Sequence, residues 1–145
     1  MLHDFQCYPP IINKLEESNQ HTFYLTGSRF FKTNSPNSDW DFFVQESHNK
    51  ENLVKYLLNL GFKCTIEQNN SYKDSLCDSV YWHPDNIHVQ IVTDASIKQQ
   101  AQAIIPILDP NLVILRLNIK PLCTELWNKA IEIVQALKKE KTYEN

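Results

Sequence analysis

Glycine is scarce in this chain of 145 residues. Only Gly27 and Gly61 occur, so each marks a place where the backbone needs one. Long apolar runs are missing, and the opening "MLHDFQCYPP" has no basic stretch followed by an apolar one. Neither a membrane span nor a secretory leader is expected, and the expected compartment is the cytoplasm. The four cysteines, at 7, 64, 77 and 123, include no Cys-x-x-Cys pair. In a reducing compartment they read as small buried hydrophobes. A zinc site from Cys77, His83 and His88 has little support from ligand spacing. No block of like charge stands out: the 14 basic residues are scattered and the net charge is −3. That argues against a dedicated surface for duplex DNA, while leaving room for a small basic pocket. Internal repeats and low-complexity segments are absent as well.

What is present fits one globular domain, with 42% hydrophobic and 21% charged residues. "PPIINKLEESNQ" reads as a helix opened by proline, with Ile11, Ile12 and Leu15 as its stripe. "HTFYLTG" and "DWDFFVQ" read as strands, separated by a helical turn after Gly27 and a polar loop broken by Pro36. "KENLVKYLLNLGF" is a helix facing inward through Leu53, Tyr56, Leu57 and Leu60, with Gly61 at a left-handed cap. "FKCTIEQ" reads as a strand, and "DSVYWHPDNIHVQIVTD" as a hairpin turning at Pro84-Asp85-Asn86. A helix near "IKQQAQAII" follows, then the segment "DPNLVILRLNI". The last element is a helix through "PLCTELWNKAIEIVQALKKEK", with Leu122, Leu126, Ala130, Val134 and Leu137 on one side. This order describes an α+β (α/β) domain, a mixed and mostly antiparallel sheet with helices packed on one side.

The informative stretch is "LTGSRFFKTNSPNSDWDFFV", residues 25–44. Alternate side chains of a strand share a face, so Asp39 and Asp41 point together while Trp40 and Phe42 point away. Two like charges on one face repel, and aspartate is depleted from strands. A divalent cation turns that repulsion into attraction, and hard oxygen ligands suit Mg²⁺ or Mn²⁺. Upstream, a Gly-Ser turn leaving a strand for a helix exposes backbone N–H groups and a hydroxyl, an arrangement that binds anions. Gly27, Ser28, Arg29 and Lys32 are therefore candidate phosphate-binding residues, and Asp39 and Asp41 candidate metal ligands.

"YLTGSRF…NSDWDFFV" resembles the signature of the DNA polymerase β-like nucleotidyltransferase superfamily: an apolar strand, Gly-Ser, roughly ten residues, then Asp-x-Asp on the next strand. The resemblance runs over about residues 10 to 95, the minimal form of that fold, and leaves a helical C-terminal part at about 96 to 141. It implies that Gly27 and Ser28 hold nucleotide phosphates and that Asp39 and Asp41 bind two Mg²⁺ ions. It also implies a third carboxylate on a later strand, beside the first two. The strand in that place is "NIHVQIV", whose Ile87, Val89 and Ile91 face the core. The family's acid aligns with His88, and His88 and Gln90 share the opposite face; neither is acidic. Imidazole is a poor ligand for Mg²⁺ but acceptable to Mn²⁺ or Zn²⁺, and can act as a general base near neutral pH. Glu67 is the nearest substitute acid.

The expected function is metal-dependent transfer of a nucleoside monophosphate from an NTP to a hydroxyl acceptor, with Asp39, Asp41 and His88 as the catalytic set. The acceptor, whether small molecule, protein or nucleic acid, is left open. The alternative is a catalytically impaired module of the same fold that binds a nucleotide or a protein partner, as antitoxins do. Trp40 and Trp127 read as core. Tyr81 and Trp82 offer rings on which a base could stack, and Lys63 and Lys73 are cations that could reach phosphate, although packing and surface roles explain all four.

Overall fold

The computed structural model describes residues 9–64, 74–108 and 120–144. The elements run α1 (Ile11–Glu16), β1 (Phe23–Thr26), α2 (Gly27–Phe31), β2 (Trp40–Gln45), α3 (Lys50–Asn59), β3 (Lys63–Cys64), β4 (Cys77–His83), β5 (Ile87–Val92), α4 (Ala95–Leu108) and α5 (Lys120–Glu144). The five strands form one sheet in the order β1-β2-β5-β4-β3. The β2–β5 pair is parallel, and the other three pairings are antiparallel. The mixed, mostly antiparallel α+β class is therefore as expected. Among the described residues no helix is long and apolar enough to cross a membrane.

Local chemistry accounts for the boundaries. Pro9 and Pro10 accept the first N–H groups of α1 at their carbonyls, where a missing proline N–H forfeits nothing. α3 closes at Gly61, whose φ of +98° lets Phe62 N–H return to Leu57 O at 3.0 Å. The hairpin turn ends on Asn86 at φ +68°, with its N–H donated to His83 O. α4 starts where Asp94 Oδ1 accepts Ile97 N–H and Gln45 Oε1 accepts Ala95 N–H.

Helices cover both faces of the sheet, not one. On one side Phe42, Val44, Ile87, Val89 and Ile91 pack with Ile12 and Leu15 of α1 and Leu53 and Leu57 of α3. On the other, Phe43 and Val92 pack with Ala101 and Ile105 of α4 and Trp127, Ala130 and Ile131 of α5. The physical reason is in β2 and β5: "FFV" and "IV" are consecutive apolar residues, so both faces need cover. Each fully buried aliphatic contributes roughly 1.5–3 kcal/mol, so a second helical layer is favoured over an exposed face.

Trp40 and Trp127 are core, as expected, but Leu137 is 57% exposed. The stripe of α5 that packs runs through Cys123, Leu126, Trp127, Ala130, Ile131 and Val134 and stops there. Cys77 and Cys123 are buried free thiols, whereas Cys64 is exposed at the sheet edge. Cys7, Glu67, Lys73, the segment 109–119 and the side chain of Leu122 lie outside the described residues.

Candidate metal and phosphate site

Asp39 immediately precedes β2, and Asp41 is its second residue. His88, the second residue of β5, stands in register with Asp41 across the parallel pair. Alternation then sends Trp40 to the opposite core and brings the three polar side chains to one face. His88 Nδ1 lies 3.3 Å from Asp41 Oδ1 and 3.4 Å from Asp39 Oδ2. One ligand atom from each residue falls within 4.8 Å of the others, spacing that suits a single cation, and all three are partly buried. Asp39, Asp41 and His88 thus form a possible metal-binding group. Among the described residues it is the one such group of histidines, cysteines and carboxylates. Two carboxylates and an imidazole suit a borderline transition ion better than an all-oxygen octahedron does.

The Gly27-Ser28 turn is built against this group. Thr26 pairs with Asp41 across β1 and β2, and the chain then turns into α2 with Gly27 at φ +70°. A methyl group at position 27 would overlap the Asp41 carboxylate, reaching 3.0 Å from its Cβ and 3.1 Å from its Cγ. Glycine is therefore required twice: for the left-handed conformation, and for the close approach of the turn to a candidate ligand. Ser28 is partly buried; its carbonyl accepts Thr33 N–H at 2.9 Å, and its hydroxyl makes no hydrogen bond among the described residues. The turn and the carboxylates are one construction.

Arg29 and Lys32 are placed differently. Arg29 Nη2 donates to Ser38 O at 2.8 Å and to Pro36 O at 3.3 Å, and its guanidinium lies 4.1 Å over the Trp40 ring. It fixes the polar loop that delivers Asp39. Asn86 Nδ2 donates to Asn37 O, tying the hairpin turn to the same loop. Beside these residues is an open cleft of about 380 Å³ whose lining includes Arg29, Pro36, Asn37, Ser38, Trp40, Asp85 and Asn86, but not Asp39, Asp41 or His88. Lys32 is exposed at the far end of α2, closing it with φ +60°.

The zinc set of Cys77, His83 and His88 does not come together. Cys77 and His83 occupy opposite ends of β4; His83 packs on Phe62 and accepts Asp85 N–H at Nδ1, on the face away from His88. Tyr81 is buried in the core, while Trp82, one residue on, lies on the face of His88. Burial pushes the Tyr81 phenol above its ordinary range.

Gln90, two residues beyond His88 on the same face, is buried and receives a hydrogen bond of 2.6 Å from Lys98 Nζ. Lys98 is 1% exposed and also donates to Asp74 Oδ2 at 2.6 Å, with its ammonium 4.8 Å from the Trp127 ring centroid. This buried triad was not legible in the sequence. Lys98 sits in "SIKQQAQAII", where a lysine on a helix reads as solvent-facing, and the acid that partners it lies 24 residues away. The triad's Gln90 lies two residues beyond His88 along β5.

The chain matches no protein-family model, and neither curated proteins nor solved structures gave a match.

Proposed function

We propose that this protein is a metal-dependent nucleotidyltransferase of the DNA polymerase β-like kind, moving a nucleoside monophosphate from an NTP to a hydroxyl acceptor. The observation that supports this reading is the packing of Gly27 against Asp41: a turn of the kind that suits an anion lies against a residue of the possible metal-binding group. Triphosphate is the common ligand that asks for both. Asp39, Asp41 and His88 would hold the cation, which when bound supplies charge neutralisation and polarisation of the α-phosphate. An imidazole in the set favours Mn²⁺ over Mg²⁺.

The chain's own residues do the rest. Backbone N–H groups after Gly27 and the Ser28 hydroxyl hold and orient the phosphates. Arg29 keeps the 33–38 loop, and with it Asp39, in place. The acceptor oxygen bonds to the α-phosphorus as the α–β bridging P–O bond breaks and pyrophosphate leaves. His88 is either a ligand or a base, because a neutral imidazole bound to a cation has no lone pair left for a proton. Unbound, it takes the hydroxyl proton; bound, it leaves that proton to solvent. Positioning and charge neutralisation account for most of such catalysis, and general base assistance adds about 10²–10⁴-fold.

A second reading has one observation in its favour: the imidazole contacts both carboxylates where the family would place a third acid. A module that binds nucleotide without turning it over would tolerate that exchange. Calorimetry of NTP binding, with Mg²⁺ or Mn²⁺, on wild type and on Asp39→Asn/Asp41→Asn tests the site. Metal-dependent binding lost in the double variant is expected. No binding with either metal would sink the nucleotidyltransferase reading. Pyrophosphate release with binding marks the enzyme, and binding without turnover over a broad acceptor screen marks the module.

A further inference from the structure

The strand registers line up five residues across one face of the sheet. Thr26 pairs with Asp41, Asp41 with His88, His88 with Trp82, and Trp82 with Lys63. Directly opposed residues place their Cβ atoms roughly 4.5–5.5 Å apart on the same face. The Trp82 ring therefore borders His88 on the side away from Gly27 and Ser28, and Lys63 borders the ring in turn, about 10 Å from His88 at ordinary strand spacing. Trp82 is only partly buried and joins neither hydrophobic core. Its indole N–H and ring make no hydrogen bond or aromatic contact among the described residues, and exposed Lys63 makes no ion pair there. Tryptophan at such a position, outside both cores of the described residues, is the expensive choice for a partly exposed strand position.

In-line displacement at phosphorus sets the nucleophile opposite the leaving group. If pyrophosphate departs on the Gly27-Ser28 side, the attacking hydroxyl enters from the His88 side, across Trp82. We propose that Trp82 and Lys63 form the acceptor subsite and that the acceptor is a nucleotide at the end of a single strand. Its base stacks on Trp82, its phosphate meets Lys63, and its terminal ribose hydroxyl reaches the α-phosphorus beside His88. An aromatic platform flanked by a cation is the general device for unpaired nucleotides. The cation argues for a phosphate-bearing ring over a neutral one. The scattered charge of the remaining surface limits the contact to a strand end and does not suit a duplex. This inference rests on the nucleotidyltransferase reading.

The test uses tetra-adenylate with a free 3′ end as the probe, in the presence of Mn²⁺ and a non-hydrolysable NTP. Trp40 and Trp127 are 3% and 4% exposed, so Trp82 is the tryptophan available to solvent and to a stacked base. Saturating probe should quench tryptophan emission and shield it from iodide. Trp82→Ala should weaken probe binding about tenfold or more, and Trp82→Phe should recover most of the affinity while losing the emission change. Lys63→Glu should weaken binding and lower the salt dependence by about one counterion. NTP affinity should stay within about twofold of wild type in all three. Unchanged probe affinity in Trp82→Ala, or no probe binding by a wild type that binds NTP, overturns the acceptor subsite alone. Equal loss of NTP and probe in Trp82→Ala assigns the ring to the donor's base and also overturns it. Failure of wild type to bind any NTP removes the nucleotidyltransferase reading, and the acceptor assignment with it.

Discussion

Replacing Gly27 by alanine tests the idea that the turn and the carboxylates are one construction. Two penalties are separable. The left-handed backbone at φ +70° costs an alanine about 1–2 kcal/mol. The new methyl also meets the Asp41 side chain, with overlap at the carboxylate oxygen and approaches of 3.0 and 3.1 Å to Cβ and Cγ. Relieving that overlap requires an off-rotamer Asp41 or a shift of the β1–α2 turn, worth about another 1–2 kcal/mol. Gly27→Ala should therefore lose about 2–4 kcal/mol in urea denaturation, and its Mn²⁺ affinity should fall because Asp41 is displaced. The double variant Gly27→Ala/Asp41→Ala removes the Cγ and oxygen contacts but keeps the backbone penalty. A double-mutant cycle should show coupling of about 1–2 kcal/mol between the two positions. Additive effects, or a Gly27→Ala protein that binds Mn²⁺ as wild type does, would refute the steric argument.

Three further outcomes follow from other contacts. Lys98→Met leaves the Asp74 carboxylate buried without its ammonium and should cost about 3–5 kcal/mol in chemical denaturation, whereas Lys98→Met/Asp74→Leu should recover a large part of it; equal losses in the single and double variants would contradict this. His88→Asp replaces the imidazole with a hard oxygen ligand, and the ratio of Mg²⁺ to Mn²⁺ affinity measured by calorimetry should rise by about tenfold or more. An unchanged ratio would mean that His88 is no ligand. His21, whose ring packs near Phe23 and Tyr56, is held below its ordinary pKa of 6.5 by burial. The unfolded chain then binds the proton first, so stability should fall as the pH drops below 6.5 and be flat with respect to this group above it. His21→Phe should flatten that part of the curve in thermal denaturation at several pH values.

The local patterns carried far. The Asp-x-Asp alternation, the proline-opened first helix, the glycine cap after α3 and the turn at residues 84–86 all depend on neighbours within a few positions, where steric preference and side-chain period decide the outcome. So does the facing of Ile87, Val89 and Ile91, which put His88 on the other side of its strand. The facts that define the candidate site are of another kind. That β2 lies beside β5 and parallel to it, so that His88 meets Asp41, follows from pairing between segments 47 residues apart, and no local preference encodes that register. Arg29 reads as a phosphate ligand by its place after Gly-Ser, and the folded loop adds what the sequence does not show, Pro36 and Ser38 carbonyls that accept from its Nη2. Lys98 reads as surface and lies buried, because Asp74 and Gln90 converge on it from two other elements. Tyr81 and Trp82 are adjacent and equal candidates until the sheet buries one face of β4 against α3 and leaves the other beside His88. Sequence alone determined which residues could carry chemistry and which faces they shared. Tertiary structure decided which of them meet, because close approach between distant segments is set by strand order and by packing on both sides of the sheet.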